Sequence, residues 1–252
     1  MARRASEHFG RYAGDYRRYR PDYPDSLFDR IASLSPGRSR ALDCATGSGQ
    51  AAVGLSTRFD DVVGVDVSTA QLREGERRPG VVYVTAACES LPLPRESVDA
   101  VTVAQALHWL EFDSFFDEVR RVGKRGGLFA TWVYATIRIG PRVDRVVERL
   151  YRDILGSCWL PERRYVETAY ASIPIPLRSV SLEDLVIEKR WSLADLCGYL
   201  ATWSAGRIYA DRHGVDPLSL VREELSAAWL SDANGSRETT VRWPVTLRTF
   251  RI

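Results

Sequence analysis

The chain predicts an α/β fold, a doubly wound and mostly parallel sheet with helices on both faces and a C-terminal cover. Two patterns predict it. From Ser39 to Tyr134 short β-type runs alternate with helix-length segments, and strands joined through helices pair in parallel by right-handed crossovers. Beyond Tyr134 the alternation stops, yet no repeat or low-complexity linker sets the second half apart. That half therefore packs onto the sheet as a cover.

Taken in order, SRALDCA (39–45) is the first strand, GQAAVGLSTRF (49–59) a helix and DVVGVDV (61–67) the second strand. TAQLREGERR (69–78) is a polar helix, GVVYVTA (80–86) the third strand and SVDAVTVA (97–104) the fourth. In FDSFFDEVRRV (112–122), Phe112, Phe115, Phe116, Val119 and Val122 recur at helical spacing, and GGLFATWVY (126–134) is the fifth strand. PRVDRVVERLYRDIL (141–155) puts proline at a helix start, where its missing N–H costs nothing. SIPIPL cannot sit in a helix, EDLVIEKRW (183–191) reads as a strand, and LADLCGYLATWSAGRIYA (193–210) as one helix or two. DPLSLVREELSAAWL (216–230) opens with an aspartate cap and a proline at the first helical position. ETTVRWPVTLRTFRI (238–252) is a closing strand, with Pro244 pointing to an edge or a bulge.

Composition narrows the function. A chain 45% hydrophobic and 27% charged is ordinary for a soluble globular protein. The net charge is +2, and the arginines are scattered among acids, as in REGERR. A nucleic-acid footprint would be concentrated, so no nucleic-acid partner is expected. Cys44, Cys88, Cys158 and Cys197 lack CxxC spacing. Reduced, mostly buried thiols are expected, and no metal. MARRASEHFGRYAGDYRRYR has no apolar signal-peptide core, and no apolar run approaches the roughly 20 residues that span a bilayer. A cytoplasmic protein without a membrane partner is expected, monomeric or homodimeric.

The strongest chemical signal is LDCATGSGQ at the end of the first strand. Gly47 and Gly49 let the backbone turn tightly beside a ligand, and the next helix offers unpaired N–H groups. GSGQAA also satisfies GxGxxA, so a dinucleotide reading stays open. Asp43 tilts the choice. Its carboxylate would repel a pyrophosphate and attract an ammonium, which favours a nucleoside carrying an amino acid, and S-adenosylmethionine (SAM) fits. Asp66 ends the second strand, where a carboxylate can accept both ribose hydroxyls or cap the helix that starts near Ser68. In AACESLPLP, after the third strand, the backbone of Cys88 can read an adenine edge, and Glu89 either assists or is a surface acid.

LDCATGSGQ, GVDVS, CESLPLP and RVGKRGG together resemble the motifs of class I SAM-dependent methyltransferases with a methyltransferase type 11 domain. YRRYRPDYP, AQALHW, TWSA (202–205) and VRWPVTLR narrow the resemblance to the trans-aconitate methyltransferase-like group, over nearly the whole chain. It implies a Rossmann-like, seven-stranded sheet, with an N-terminal cap segment (1–37), a SAM-binding core (38–135) and a substrate cover plus closing strands (136–252). Cofactor contacts are implied for Asp43, Ala45, Gly47, Gly49 and Gln50 from the first motif. Asp66, Val67, Ala87, Cys88 and Glu89 follow from the next two, and Ala104 and Gln105 from the fourth strand. The N-terminal segment, with Tyr16, Tyr19, Arg20 and Tyr23, is implied to close over the cofactor, Tyr19 or Arg20 lying near the methionine carboxylate. Ala45 stands in place of the usual first glycine, Ala87 in place of an aspartate common among relatives, and Gly123 and Arg125 in place of leucine and proline.

Methyl transfer from a sulfonium is an in-line displacement, so the protein must align the partners and exclude water. The expected activity is transfer to a carboxylate or hydroxyl oxygen of a small molecule. The alternatives are a SAM-fold protein that binds the cofactor without methylating, or an NAD-dependent oxidoreductase. A carboxylate needs no general base; a hydroxyl does, and His108 is placed to serve as base or wall. His8 and His213 sit in polar contexts and read as surface residues. Substrate contacts are expected from His108, Trp109, Trp203 and Tyr23. Tyr209 is a further candidate wall. Arg138, Arg178 and Arg207 are candidate clamps for an acidic acceptor, because guanidinium binds carboxylate through two parallel hydrogen bonds.

Overall fold

The computed structural model describes residues 18–252, so Tyr16 and His8 lie outside the described residues. Helix α1 (Asp25–Leu34) leads into β1 (Arg40–Cys44), α2 (Gln50–Leu55), β2 (Asp61–Asp66), α3 (Thr69–Arg73) and β3 (Val81–Thr85). Then come β4 (Val98–Ala104), α4 (Phe112–Val122) and β5 (Gly123–Tyr134), followed by α5 (Pro141–Arg149) and α6 (Arg163–Glu167). Strand β6 (Arg178–Ser192), helices α7 (Leu193–Ala201), α8 (Ser204–His213) and α9 (Arg222–Asp232), and β7 (Glu238–Arg251) complete the chain.

The seven strands run in the order β3-β2-β1-β4-β5-β7-β6. The first five are parallel, and β7 is antiparallel to both β5 and β6. Strand order reverses between β1 and β4, which opens a crevice at their carboxyl ends. One apolar core lies under α4, where Phe115, Phe116, Val119 and Val122 meet the sheet through Phe129 and Val101. The other holds α1, α2 and the cover around Trp132, Trp243 and Leu247. Phe28 packs where a side chain on Gly54 would stand, 2.0 Å from its ring, so α1 and α2 approach closely.

Several elements differ from their sequence reading, each for a local reason. Helix α3 stops at Arg73, and Gly75 just beyond it packs against Tyr83, whose ring lies 2.9 Å from where a Cβ would stand. Helix α5 ends at Arg149 and widens into a π-turn over Leu150–Ile154. The stretch 193–210 is two helices, α7 and α8, broken between Ala201 and Ser204. Asp216 caps only a short turn, Pro217–Leu220, by accepting from the Leu218 N–H at 3.0 Å; α9 starts anew at Arg222. Pro244 lies on an interior strand, not an edge, since β6 forms the edge. The Pro244 carbonyl accepts from Ala135 N–H, so its missing N–H faces the β5 side just past that strand's end, where no ladder bond is lost.

Beneath the turn that follows β1 lies Asp43, wholly buried. Its carboxylate accepts from Thr46 Oγ1 at 2.5 Å and from Thr102 Oγ1 of β4 at 2.8 Å. The Ala52 N–H in the first turn of α2 adds a third bond, with the helix dipole favouring a negative charge there. Burial nevertheless outweighs these donors and pushes the carboxyl up to about 6. An acid whose folded pKa is raised holds its proton longer in the native state than when unfolded. Its stabilising share is full below about pH 4 and is lost as pH rises through 6. Asp43→Asn, which cannot ionise, should abolish that slope. Between pH 4 and 7 the wild type should lose about 3 kcal/mol relative to the variant, two pKa units at about 1.4 kcal/mol each, in urea unfolding at stepped pH. Parallel curves would remove Asp43 as the source.

Candidate functional site

Two adjoining clefts open at the carboxyl ends of β1, β2 and β4. The first encloses about 1000 Å³ including its open mouth. Its floor is the turn after β1, in which Ala45, Gly47 and Gly49 all adopt left-handed φ, at +52°, +57° and +81°. A Cβ on Gly47 would meet only Gln71 Oε1 at 3.9 Å, so a side chain there would stand in the cleft itself. Glycine at 47 keeps that space for a ligand. Gly49 has another reason: a Cβ there would lie 2.0 Å from the Tyr83 hydroxyl.

Asp66 stitches the turn to α3. Its carboxylate accepts from Gly47 N–H at 2.9 Å and Ser68 N–H at 2.8 Å, and burial holds its pKa above the ordinary carboxylate value. Each oxygen keeps acceptor capacity toward the cleft. The cap of α3 is Ser68, whose hydroxyl accepts from Gln71 N–H, so capping does not occupy Asp66. Val67, 37% exposed, and Leu110 give the cleft apolar surface. Glu89 is on the wall as well, and its Oε1 also accepts from Glu111 N–H at 3.0 Å, fixing the entry to α4. Carboxylate acceptors, an apolar slot and a bare glycine turn together suit a nucleoside joined to an amino acid.

The second cleft, about 570 Å³, shares Gln105 and Trp109 with the first. Gln105 has φ +55° and pairs its side-chain amide with both main-chain groups of Tyr134, accepting from the N–H at 2.8 Å. It thereby clamps the end of β4 to the end of β5. His108, Trp159, Arg163 and Trp203 line this cleft with Arg20. The guanidinium of Arg163 lies 4.8 Å over the Trp159 ring and 5.3 Å over Tyr151, and its Nε donates to Tyr151 Oη at 2.8 Å. Among the described residues Arg163 has no ion-pair partner, and no carboxylate lines the cleft. His108 is 7% exposed, and burial, helped by the Arg163 charge, lowers its pKa to about 3. The imidazole is neutral at any physiological pH.

The first cleft gathers Ala45, Gly47, Gln50, Asp66 and Val67 from the expected cofactor residues, with Cys88, Glu89, Ala104 and Gln105. Asp43 is beneath the turn, its oxygens facing Thr46 and Thr102, so direct pairing with an ammonium does not fit. Gly49 and Ala87 are not on the wall either. Tyr19 packs against Gly198 of α7, 2.3 Å from where a Cβ would be, well inside the cover. Arg20 turns to the second cleft, donating to Tyr134 Oη at 2.8 Å, and only its carbonyl meets Gln50. Tyr23 lines the first cleft, while Trp203 and His108 line the second. Arg138 pairs with Asp144 at 3.9 Å, Arg178 is exposed on β6, Arg207 borders a separate apolar hollow, and Tyr209 stacks on His213. Arg163, not one of the candidate clamps, does line the second cleft, beside Arg20. Only the aromatic-arginine run WLPERRY hints at it, and nothing in its spacing separates it from the other arginines.

Among the described residues no His, Cys, Asp or Glu cluster suits a metal ion, and no helix is long and apolar enough to cross a membrane. Residues 42–131 match the family model of the methyltransferase domain. A Dictyostelium discoideum protein with a provisional methyltransferase name is 32% identical over 241 residues, covering 94% of this chain and 92% of that one. A Saccharomyces cerevisiae protein assigned to SAM-dependent methylation is 33% identical over 128 residues, 47% of this chain and 44% of its own. A solved structure from Anaeromyxobacter dehalogenans, provisionally described as a type II methyltransferase, is 42% identical with a TM-score of 0.86, over 92% of this chain and 98% of that one. The dinucleotide reading of GSGQAA gives way to these likenesses. With a bare glycine turn, an acid ending β2 and near full-length kinship, the chain belongs to the class I SAM-dependent methyltransferases and takes SAM as its cofactor.

Proposed function

We propose that the enzyme transfers the methyl group to a carboxylate oxygen of a small, flat acid bound in the second cleft. The carrying observation is that this cleft presents the Arg163 guanidinium and a neutral imidazole, with no carboxylate among the described residues that line it. A hydroxyl acceptor needs a base, and an imidazole whose pKa lies near 3 is a poor one. A carboxylate needs none, and Arg163 can neutralise it. The likeness of AQALHW and TWSA to the trans-aconitate methyltransferase group supports the same reading.

SAM supplies a methyl on a sulfonium, so a carboxylate attacks, the C–S bond breaks, and ester and neutral S-adenosylhomocysteine leave. The rest is positioning. Asp66 and the turn at Gly47 hold the nucleoside side, and Gln105 and Trp109 form the shared wall across which the two partners meet. Trp159, Trp203 and Tyr151, packed at ring distances of 4.7–5.7 Å, exclude water from the acceptor.

Incubation with methyl-labelled SAM and a panel of conjugated carboxylic acids and their amides tests this. Label should transfer to acids alone and be released as methanol by alkali, the mark of a carboxyl ester. Alkali-stable label would assign a hydroxyl or carbon acceptor, and SAM binding without transfer to any of the panel would favour the non-methylating alternative. Arg163→Met should raise KM for a responsive acid by about tenfold to a hundredfold, the cost of about 1.5–3 kcal/mol for a charged hydrogen bond, with little change in S-adenosylhomocysteine affinity by calorimetry. Asp66→Ala should do the reverse, weakening S-adenosylhomocysteine by about 1–3 kcal/mol. An unchanged affinity in folded protein would remove Asp66 from ribose binding.

A further inference from the structure

His108 has a partner that no motif announces. Tyr170, wholly buried in the cover, places its hydroxyl 2.9 Å from His108 Nδ1. Among the described residues His108 Nδ1 is the one hydrogen-bond partner of Oη, and a buried phenol proton without an acceptor is costly, so Oη donates to Nδ1. From this geometry we infer that Tyr170 is a positioning residue, holding His108 as the tautomer with bare Nδ1 and protonated Nε2. Nε2–H, on the ring edge away from Tyr170, is then a fixed donor to the second cleft beside Arg163.

The backbone around Tyr170 supports this role. Ala169 and Tyr170 both adopt left-handed φ, +47° and +60°, although neither is glycine. Such a pair persists only where its surroundings over-determine it. Arg248 of β7 donates to the Tyr170 carbonyl, and Tyr170 N–H donates to Tyr165 O at 2.8 Å. The strained pair thus delivers the phenol under the 3₁₀ turn Leu107–Trp109, where His108 also leans on Trp109 with ring centroids 4.7 Å apart. The two ends of the imidazole are consequently unlike: one locked to the cover, the other open to the acceptor. What this donor serves rests on the carboxylate reading; which tautomer is present does not.

The test is ¹⁵N spectroscopy of histidine-labelled full-length enzyme with S-adenosylhomocysteine bound. The chain has three histidines, and His108→Gln identifies the resonance that disappears. In the wild type His108 should show bare Nδ1 and protonated Nε2, as a single tautomer unchanged from pH 6 to pH 9. In Tyr170→Phe the signal should spread over both tautomers, with S-adenosylhomocysteine affinity changed less than threefold. Protonated Nδ1 or a mixture in the wild type overturns the proposal, and so does a tautomer unmoved in Tyr170→Phe. If that variant does not fold, the wild-type spectrum alone decides. Loss of acid methylation with the expected spectrum would instead count against the acceptor assignment.

Discussion

A charge that cannot reach water organises the site half of this molecule. Asp43 ties the turn after β1, the neighbouring strand β4 and the first turn of α2 to one carboxylate through Thr46, Thr102 and the Ala52 N–H. Desolvating a carboxylate is expensive, and it is tolerated only where donors surround it. Three donors from three elements satisfy that condition and fix those elements relative to one another. The glycine turn can then be bare on its outer side, because its shape is held from below. Asp66 works in the same manner one strand over, gripping Gly47 and Ser68 N–H groups while presenting its oxygens to the cleft. The motif acids thus divide their labour: one shapes the turn and the other faces the first cleft.

The second cleft depends on a different kind of constraint. Its wall is an aromatic stack through which Arg163 is threaded, with Tyr151 passing a hydrogen bond on to Glu167 at 2.7 Å. The neutral acceptor side of the imidazole and the cation beside it are both products of burial and packing in the cover. Gln105 joins the two systems, since the residue that clamps β4 to β5 also forms the partition between the clefts. Misplacing it would disturb both clefts together.

The fold was legible wherever a period or a turn residue carried the information. The five parallel strands and α4 follow from alternation and from the Phe112–Val122 stripe, and the glycine turn from Gly47. What escaped depended on distant packing. Gly75, just past the end of α3, packs against the Tyr83 ring, and Pro244 is tolerated inside the sheet because β5 ends beside it. At the site, residues adjoining the turn and strand ends were readable, since topology alone sends them to the crevice. Asp43 lies buried beneath the turn, and spacing does not reveal whether a side chain points above or below one. Tyr19, Arg163 and Tyr170 owe their places to how the cover folds back, for which a single sequence offers no period to read.

The cover has one further property. Its two excursions, residues 135–177 and 193–237, each leave the sheet from one strand and return to another, β5 to β6 and β6 to β7. Strands β6 and β7 pair along fourteen positions, so both stems are pinned independently of what lies between them. Lengthening a pinned excursion costs little closure entropy. The walls of the second cleft can therefore be rewritten by insertion or substitution while the glycine-turn cleft stays as it is, so that one scaffold can vary its cover by changing only what hangs between two strand ends.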